Sequence, residues 1–196
     1  MQRDIQFIRV KSIEKDDFFQ CINIYHEAFP AYERQPDEVI ASRVKEGTCI
    51  LIAGKTDQVV VCLAIVWEFQ KLPIVFLDYF AVSANVRGQG VGKMLLNFLI
   101  KQWVKAGTYM VMEVEHPDQG INKLERRQRI AFYEKAGAVV INDLTYFLPP
   151  LGGATEPMEM KLMMVPDPKK ALSESDYTEI IKTIYREVYG ASANKI

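Results

Sequence analysis

The chain of 196 residues is long enough for one full domain and short for two ordinary ones. With 49% hydrophobic and 25% charged residues it has the balance of a globular protein, which excludes disorder over its whole length. Basic residues number 24 against 25 acidic, a net charge of -1, so no nucleic-acid partner is expected.

Cys21, Cys49 and Cys62 are an odd, scattered set without metal-ligand spacing, so neither a disulfide framework nor a metal site is expected. They fall within apolar patterns and read as inert buried thiols. No signal-peptide pattern is visible, and no apolar run approaches the roughly 20 residues of a spanning helix. The expected location is therefore the cytoplasm, with no membrane partner.

In chain order, residues 4–10 read as a first strand. A helix opened by Ser12 or by Asp16 and Asp17 carries Phe18, Cys21, Ile22, Ile24, Tyr25 and Phe29 as an apolar stripe and must stop before Pro30. A second helix runs from Pro36 to Gly47, with acids in its first turn. Residues 48–53 and 58–69 are rich in Val, Ile, Leu and Cys and form a hairpin around a turn at 55–57. Residues 74–82 are a further strand. A glycine-dense loop at 87–92 leads into a helix over 91–105, and 108–115 is a strand. Residues 122–136 are a helix closed by Gly137, and 138–147 and 158–165 are a last strand pair joined by a loop over 149–156. Pro166 and Pro168 precede an amphipathic helix over 173–189. The class is α/β (α+β): a mixed central sheet of about seven strands flanked by helices, with an extra C-terminal helix.

The segment with the clearest chemistry is Arg87-Gly88-Gln89-Gly90-Val91-Gly92-Lys93. A buried strand enters a glycine turn that opens a helix, so several backbone N–H groups converge where the helix dipole favours an anion. The spacing fits neither the Walker A pattern nor the dinucleotide fingerprint. A tight turn without a ligand is the other reading.

This segment resembles the pyrophosphate-binding motif of the GNAT acetyltransferases, (Arg/Gln)-x-x-Gly-x-(Gly/Ala), and the order of elements is similar over most of the chain. The resemblance implies acetyl-CoA as cosubstrate, with no metal. It places the pyrophosphate on the backbone from Arg87 through Gly88, Gln89, Gly90, Val91 and Gly92 to Lys93. The pantetheine arm would lie along Phe80, Ala81 and Val82, on a strand that splays from its neighbour. It also implies an acetyltransferase domain over 1–165 and a helical extension over 166–196, packed on that domain or at a dimer contact.

A second likeness is Ala131-Phe132-Tyr133-Glu134-Lys135-Ala136-Gly137, similar to the family's Phe/Leu-Tyr-x-x-x-Gly signature. There the tyrosine protonates the leaving thiolate, which assigns that role to Tyr133; packing against the cofactor alone is the other reading. This chain departs from the common pattern by carrying Arg126 and Arg129 where many members have Asn and Ala, and by extra residues over 116–125.

Delivering a neutral amine calls for a carboxylate, directly or through water. Strand alternation puts Glu113 and Glu115 on one face, where mutual repulsion would raise at least one pKa. Glu113 occupies the position that resembles the base of some relatives. Ion pairs to Arg126, Arg127 or Arg129 are the competing reading, and Asp78 is a further candidate base. The resemblance implies an acceptor side built from the first two helices, their loop and the late hairpin loop, which makes Tyr32, Glu33 and Arg34, between two prolines, and Glu115 the expected acceptor contacts, with the loop at 146–157 as a lid; a plain surface turn is the other reading of 32–34. The whole describes an N-acetyltransferase acting on a primary amine of a small molecule or peptide in a ternary complex. The alternative is a non-catalytic acyl-CoA-binding or regulatory module. A homodimer is compatible with the last helix, whose apolar stripe of Tyr177, Ile180, Ile181, Ile184, Tyr185 and Val188 must cover something.

Overall fold

The computed structural model describes residues 4–120, 122–142, 144–168 and 171–191. Among them are eight strands in one sheet and five α-helices, an α/β fold. The end of the predicted C-terminal extension, residues 192–196, lies outside the described residues. No helix among the described residues is long and apolar enough to cross a membrane.

The chain divides into two compact units. The first holds the residues up to Glu68, Leu77–Gln102 and Leu151–Gly153; the second holds Phe69–Phe76, Trp103–Pro150 and the chain from Ala154 onward.

In the first unit, β1 (Gln6–Val10) pairs antiparallel with β2 (Ile50–Thr56), which forms a hairpin with β3 (Val59–Glu68). The reversal takes two residues, with Asp57 left-handed at φ 53, so Lys55 and Thr56 belong to the strand rather than to the expected turn. The register slips at Gly54, where a Cβ would sit 2.3 Å from Cys62 Sγ and 2.9 Å from Phe7. Only glycine fits between them.

Helix α1 (Asp16–Ala28) buries Phe18, Cys21, Ile24 and Tyr25 of the expected stripe and packs on β3, while Ile22 is half-buried and Phe29 lies at the cap beyond the helix end. Its Gln20 Oε1 accepts the Val60 N–H at 2.8 Å. Helix α2 (Asp37–Glu46) ends at Gly47, left-handed at φ 76. Helix α3 (Val91–Trp103) buries Leu95, Leu96 and Leu99, and its Phe98 stacks on Phe7 at 4.7 Å. Each fully buried Leu contributes about 1.5–3 kcal/mol. Strand β4 (Ile74–Val82) has the expected bounds; it begins in the second unit and ends in the first.

In the second unit, β8 (Met158–Val165) is central. On one side it pairs antiparallel with β5 (Tyr109–Glu115), from Met110 opposite Val165 to Glu115 opposite Met160. On its other side the single predicted strand at 138–147 is two short ones, β6 (Val139–Val140) and β7 (Tyr146–Leu148). Between Val140 opposite Met163 and Tyr146 opposite Met160, the outer chain has more residues than β8 can pair, and the surplus leaves the ladder. Helix α4 (Lys123–Glu134) packs on β5 and β6. Helix α5 (Glu174–Thr183) starts at a capping box between Ser173 and Asp176 and continues as a π-helical turn, Ile184–Val188. Tyr185 in that turn donates a hydrogen bond to the Phe147 carbonyl of β7, which ties the C-terminal segment to its own unit.

Candidate active site

The end of β4 and the start of α3 form the glycine loop. Ser83 N–H bonds the Val61 carbonyl at 3.0 Å, and a 3-10 turn, Ala84–Val86, carries the chain to Arg87. Gly88 and Gly90 are left-handed at φ 73 and 82, and an added Cβ at either would stand in open space in front of the loop. That is the space a phosphate needs for close approach to the backbone. The Met94 N–H bonds the Gly90 carbonyl at 3.1 Å, so the N–H groups of the helix's first turn precede that bond and have no carbonyl within the helix. Gln89, Gly90 and Lys93 are exposed and Val91 is buried, pinning the helix start to the core.

The Arg87 side chain turns back from the loop. Its Nε donates to the Val82 carbonyl at 2.9 Å, and its guanidinium lies 3.4 Å from Glu27 on α1. The same Glu27 carboxylate accepts the Ala84 N–H. Arg87 and Glu27 thereby brace the loop from behind, and nothing in the sequence pattern marks Glu27.

On β4, Ala81 is buried, while Asp78, Phe80 and Val82 alternate onto one partly covered face. Asp78 Oδ2 accepts the Trp67 indole N–H at 2.9 Å, and the Arg43 guanidinium stands over the Trp67 ring. Burial pushes the Asp78 carboxyl up to about 7, opposed by the Trp67 bond and the Arg43 charge.

The two glutamates of β5 and Tyr133 lie in the second unit. Glu113 and Glu115 are not left to repel each other, because each is claimed by different partners. Glu113 accepts hydroxyl hydrogen bonds from Tyr146 on β7 and, at 2.8 Å, from Tyr189 at the end of the C-terminal helix. Glu115 is buried and grips both arginines that mark the chain's departure from the family pattern: Arg126 at 2.7 Å on Oε1 and Arg129 at 2.7 Å on Oε2. The ion-pair reading therefore describes Glu115, with Arg126 and Arg129 as partners; Arg127 instead pairs with Asp118 on the surface.

Arg126 also organises the extra residues between β5 and α4. It donates to the His116 carbonyl at 3.2 Å and to Asn122 Oδ1 at 2.8 Å. Gly120 passes so close that a Cβ there would lie 2.8 Å from the guanidinium.

Tyr133 is buried near the end of α4, its ring edge-on to Phe132 at 5.2 Å. Burial raises its phenol to about 12, with the Arg129 charge opposing, so it holds its proton throughout the neutral range. Gly137, at φ 89, ends the helix where the sequence pattern places it.

Tyr32 and Glu33 fall in the 3-10 turn Ala31–Glu33 of the first unit, with Arg34 directly after it. Tyr32 is exposed; the Glu33 carbonyl accepts the Tyr79 hydroxyl at 2.9 Å. The late loop reaches this turn through Gly152, where a Cβ would meet the Ala31 carbonyl oxygen at 1.8 Å. Among the described residues no group of His, Cys, Asp and Glu side chains has metal-binding geometry.

Fold and loop define an α/β protein with a glycine-dense strand-to-helix turn between β4 and α3. The model of the acetyltransferase (GNAT) family matches residues 9–138, and the chain belongs to that family. Solved structures share the fold. A GNAT-family structure from Bacteroides thetaiotaomicron superposes with a TM-score of 0.81 at 22% identity, covering 95% of this chain and 99% of its own. The ribosomal-protein-S18-alanine N-acetyltransferase from Escherichia coli has a TM-score of 0.59 at 19% identity, over 87% of this chain and 99% of its own. A GNAT acetyltransferase from Elizabethkingia anophelis with acetyl-CoA bound has a TM-score of 0.55 at 13% identity, over 82% and 96%. No curated protein matches the chain significantly.

Proposed function

We propose that this chain is an acetyl-CoA-dependent N-acetyltransferase that transfers the acetyl group directly to a primary amine of a small molecule or peptide in a ternary complex. The observation that carries the reading is the loop: two left-handed glycines with open space before them, braced from behind by Arg87 and Glu27, at the start of α3. The family match spans this loop and Tyr133, and the Elizabethkingia structure holds acetyl-CoA.

In this reading the pyrophosphate lies on the backbone of residues 87–93 and the pantetheine arm along Phe80, Ala81 and Val82. The amine gives up its proton to a carboxylate, directly or through water, and its nitrogen attacks the thioester carbonyl. A backbone N–H of the strand polarises that carbonyl. The carbon–sulfur bond breaks, the thiolate takes the Tyr133 proton, and the second proton leaving the nitrogen as the amide forms restores the phenol through solvent.

Glu113 is the base in this account. The Tyr146 and Tyr189 hydroxyls hold its two oxygens in place on β5. Asp78 is a second reading, favoured by a carboxyl that titrates near 7 on the same strand face as Phe80 and Val82. Rate profiles against pH for Glu113→Gln and Asp78→Asn distinguish them, since only loss of the base removes the acid limb.

Tyr133→Phe separates an enzyme from a binding module. Turnover, followed by thiol release, should fall by about 100-fold or more with acetyl-CoA affinity unchanged. A protein that binds acyl-CoA yet releases no thiol with any amine would instead be the non-catalytic module.

A further inference from the structure

The link between α1 and α2 holds Arg34 in a fixed place with no ion pair among the described residues. Pro30 and Pro36, at φ -66 and -56, lock the backbone at either end of the link. The residues on each side of Arg34 are tied to the core. The Tyr79 hydroxyl donates to the Glu33 carbonyl, while the Tyr25 hydroxyl accepts the Gln35 N–H at 2.8 Å and donates to the Gln35 carbonyl at 3.2 Å. Across from the link, Gly152 presses on Ala31 as only a glycine can.

These segments border an open cleft of about 360 Å3 lined by His26, Ala31, Arg34, Asp37, Glu38 and Gly152. That volume is at the small end of ligand pockets. Arg34 Nε is buried with no hydrogen-bond partner, and its guanidinium forms no ion pair among the described residues. The nearby acids are placed otherwise: Asp37 is held by His26 at 2.8 Å, and Glu38 is exposed in the first turn of α2.

The Arg34 side chain lines the cleft with no carboxylate paired to it among the described residues, and a ligand carboxylate would supply that partner. The planar fork matches a carboxylate with two parallel bonds. A doubly charged anion such as phosphate would be opposed by Asp37 and Glu38 at the rim.

We propose that this cleft binds a carboxylate of the acceptor through Arg34, so that the acceptor is a small amine of the amino-acid type. The amine half of this statement rests on the acetyltransferase reading above; the carboxylate half rests on the cleft.

The test compares proteinogenic amino acids with their carboxamides as acceptors, by thiol release from acetyl-CoA, on the wild type, Arg34→Met and Arg34→Lys. Acetyl-CoA affinity and melting temperature of each protein serve as controls. An acid should be preferred over its carboxamide by about tenfold or more in kcat/KM. Arg34→Met should erase that preference with acetyl-CoA affinity unchanged, and Arg34→Lys should restore part of it. Equal rates for acid and carboxamide on the wild type, or a preference that survives Arg34→Met, would overturn the proposal.

If no amine releases thiol, the transferase reading has failed and the cleft is judged by binding alone. Calorimetric titration then uses N-acetyl amino acids against their amides. Binding of the acids that Arg34→Met abolishes upholds the carboxylate site; no binding, or equal binding of the amides, rejects it.

Discussion

The hydroxyl of Tyr189 donates to Glu113 Oε2 at 2.8 Å, although the two residues are 76 positions apart in the chain. The bond fastens the end of the C-terminal helix to the strand that carries the candidate base. Tyr146 donates to the other oxygen, and the rings of Tyr146, Tyr185 and Tyr189 meet edge to face around it. Tyr189→Phe removes one donor from a partly buried carboxylate. It should cost about 1–2 kcal/mol in urea unfolding, with an unchanged midpoint as the contrary result.

Asp78 makes a pH-dependent prediction. Its carboxyl is raised from 3.8 to about 7, so the folded state binds a proton that the unfolded state has lost. Stability from this group is complete below about pH 4 and is lost as the pH rises through 7. Asp78→Asn keeps an acceptor for Trp67 without the buried charge. Its stability relative to the wild type should climb between about pH 4 and pH 8; a constant difference across that window would contradict the assignment.

The alkaline limb follows from other groups. Burial raises Cys21, Cys49 and Cys62 from 9.0 to about 12, and Tyr25 and Tyr133 from 10.0 to about 12. The unfolded chain ionises first, so stability is intact below pH 9 and falls as the pH rises toward 12, at about 1.4 kcal/mol per unit for each titrating group. Denaturant melts under reducing conditions should steepen this loss above about pH 9. A flat profile to about pH 11 would contradict the burial of these groups.

Local chemistry was legible in the sequence, and long-range partnership was not. β4 and β8 have the bounds their apolar runs predict, and Gly47, Gly90 and Gly137 are left-handed where turn or cap chemistry requires it. Residues 138–147 read as one strand because apolar residues fill both ends of the run; Asn142 and Asp143 interrupt it, and the β8 register puts the break between Val140 and Tyr146. Alternation placed Glu113 and Glu115 together, but their fates depend on Tyr146, Tyr189, Arg126 and Arg129, whose approach is tertiary. Glu27 behind the glycine loop is a surface acid in any helical reading of α1.

Gly152 makes a prediction for the acceptor cleft. It is left-handed at φ 53, and a Cβ would drive into the Ala31 carbonyl, so Gly152→Ala must displace backbone. The variant should raise the acceptor KM several-fold and leave acetyl-CoA affinity intact, as read by kinetics and calorimetry together. An unaltered KM would mean that this contact does not shape the cleft.

The most direct measurement is calorimetric titration of acetyl-CoA into the wild type and into Gly90→Glu. The substitution puts a side chain on a residue at φ 82 and a negative charge in the proposed pyrophosphate cradle. Micromolar binding by the wild type that vanishes in the variant is the expected result. No binding of acetyl-CoA or of longer acyl-CoAs by the wild type, or equal binding by the variant, would contradict a cofactor seated on this loop.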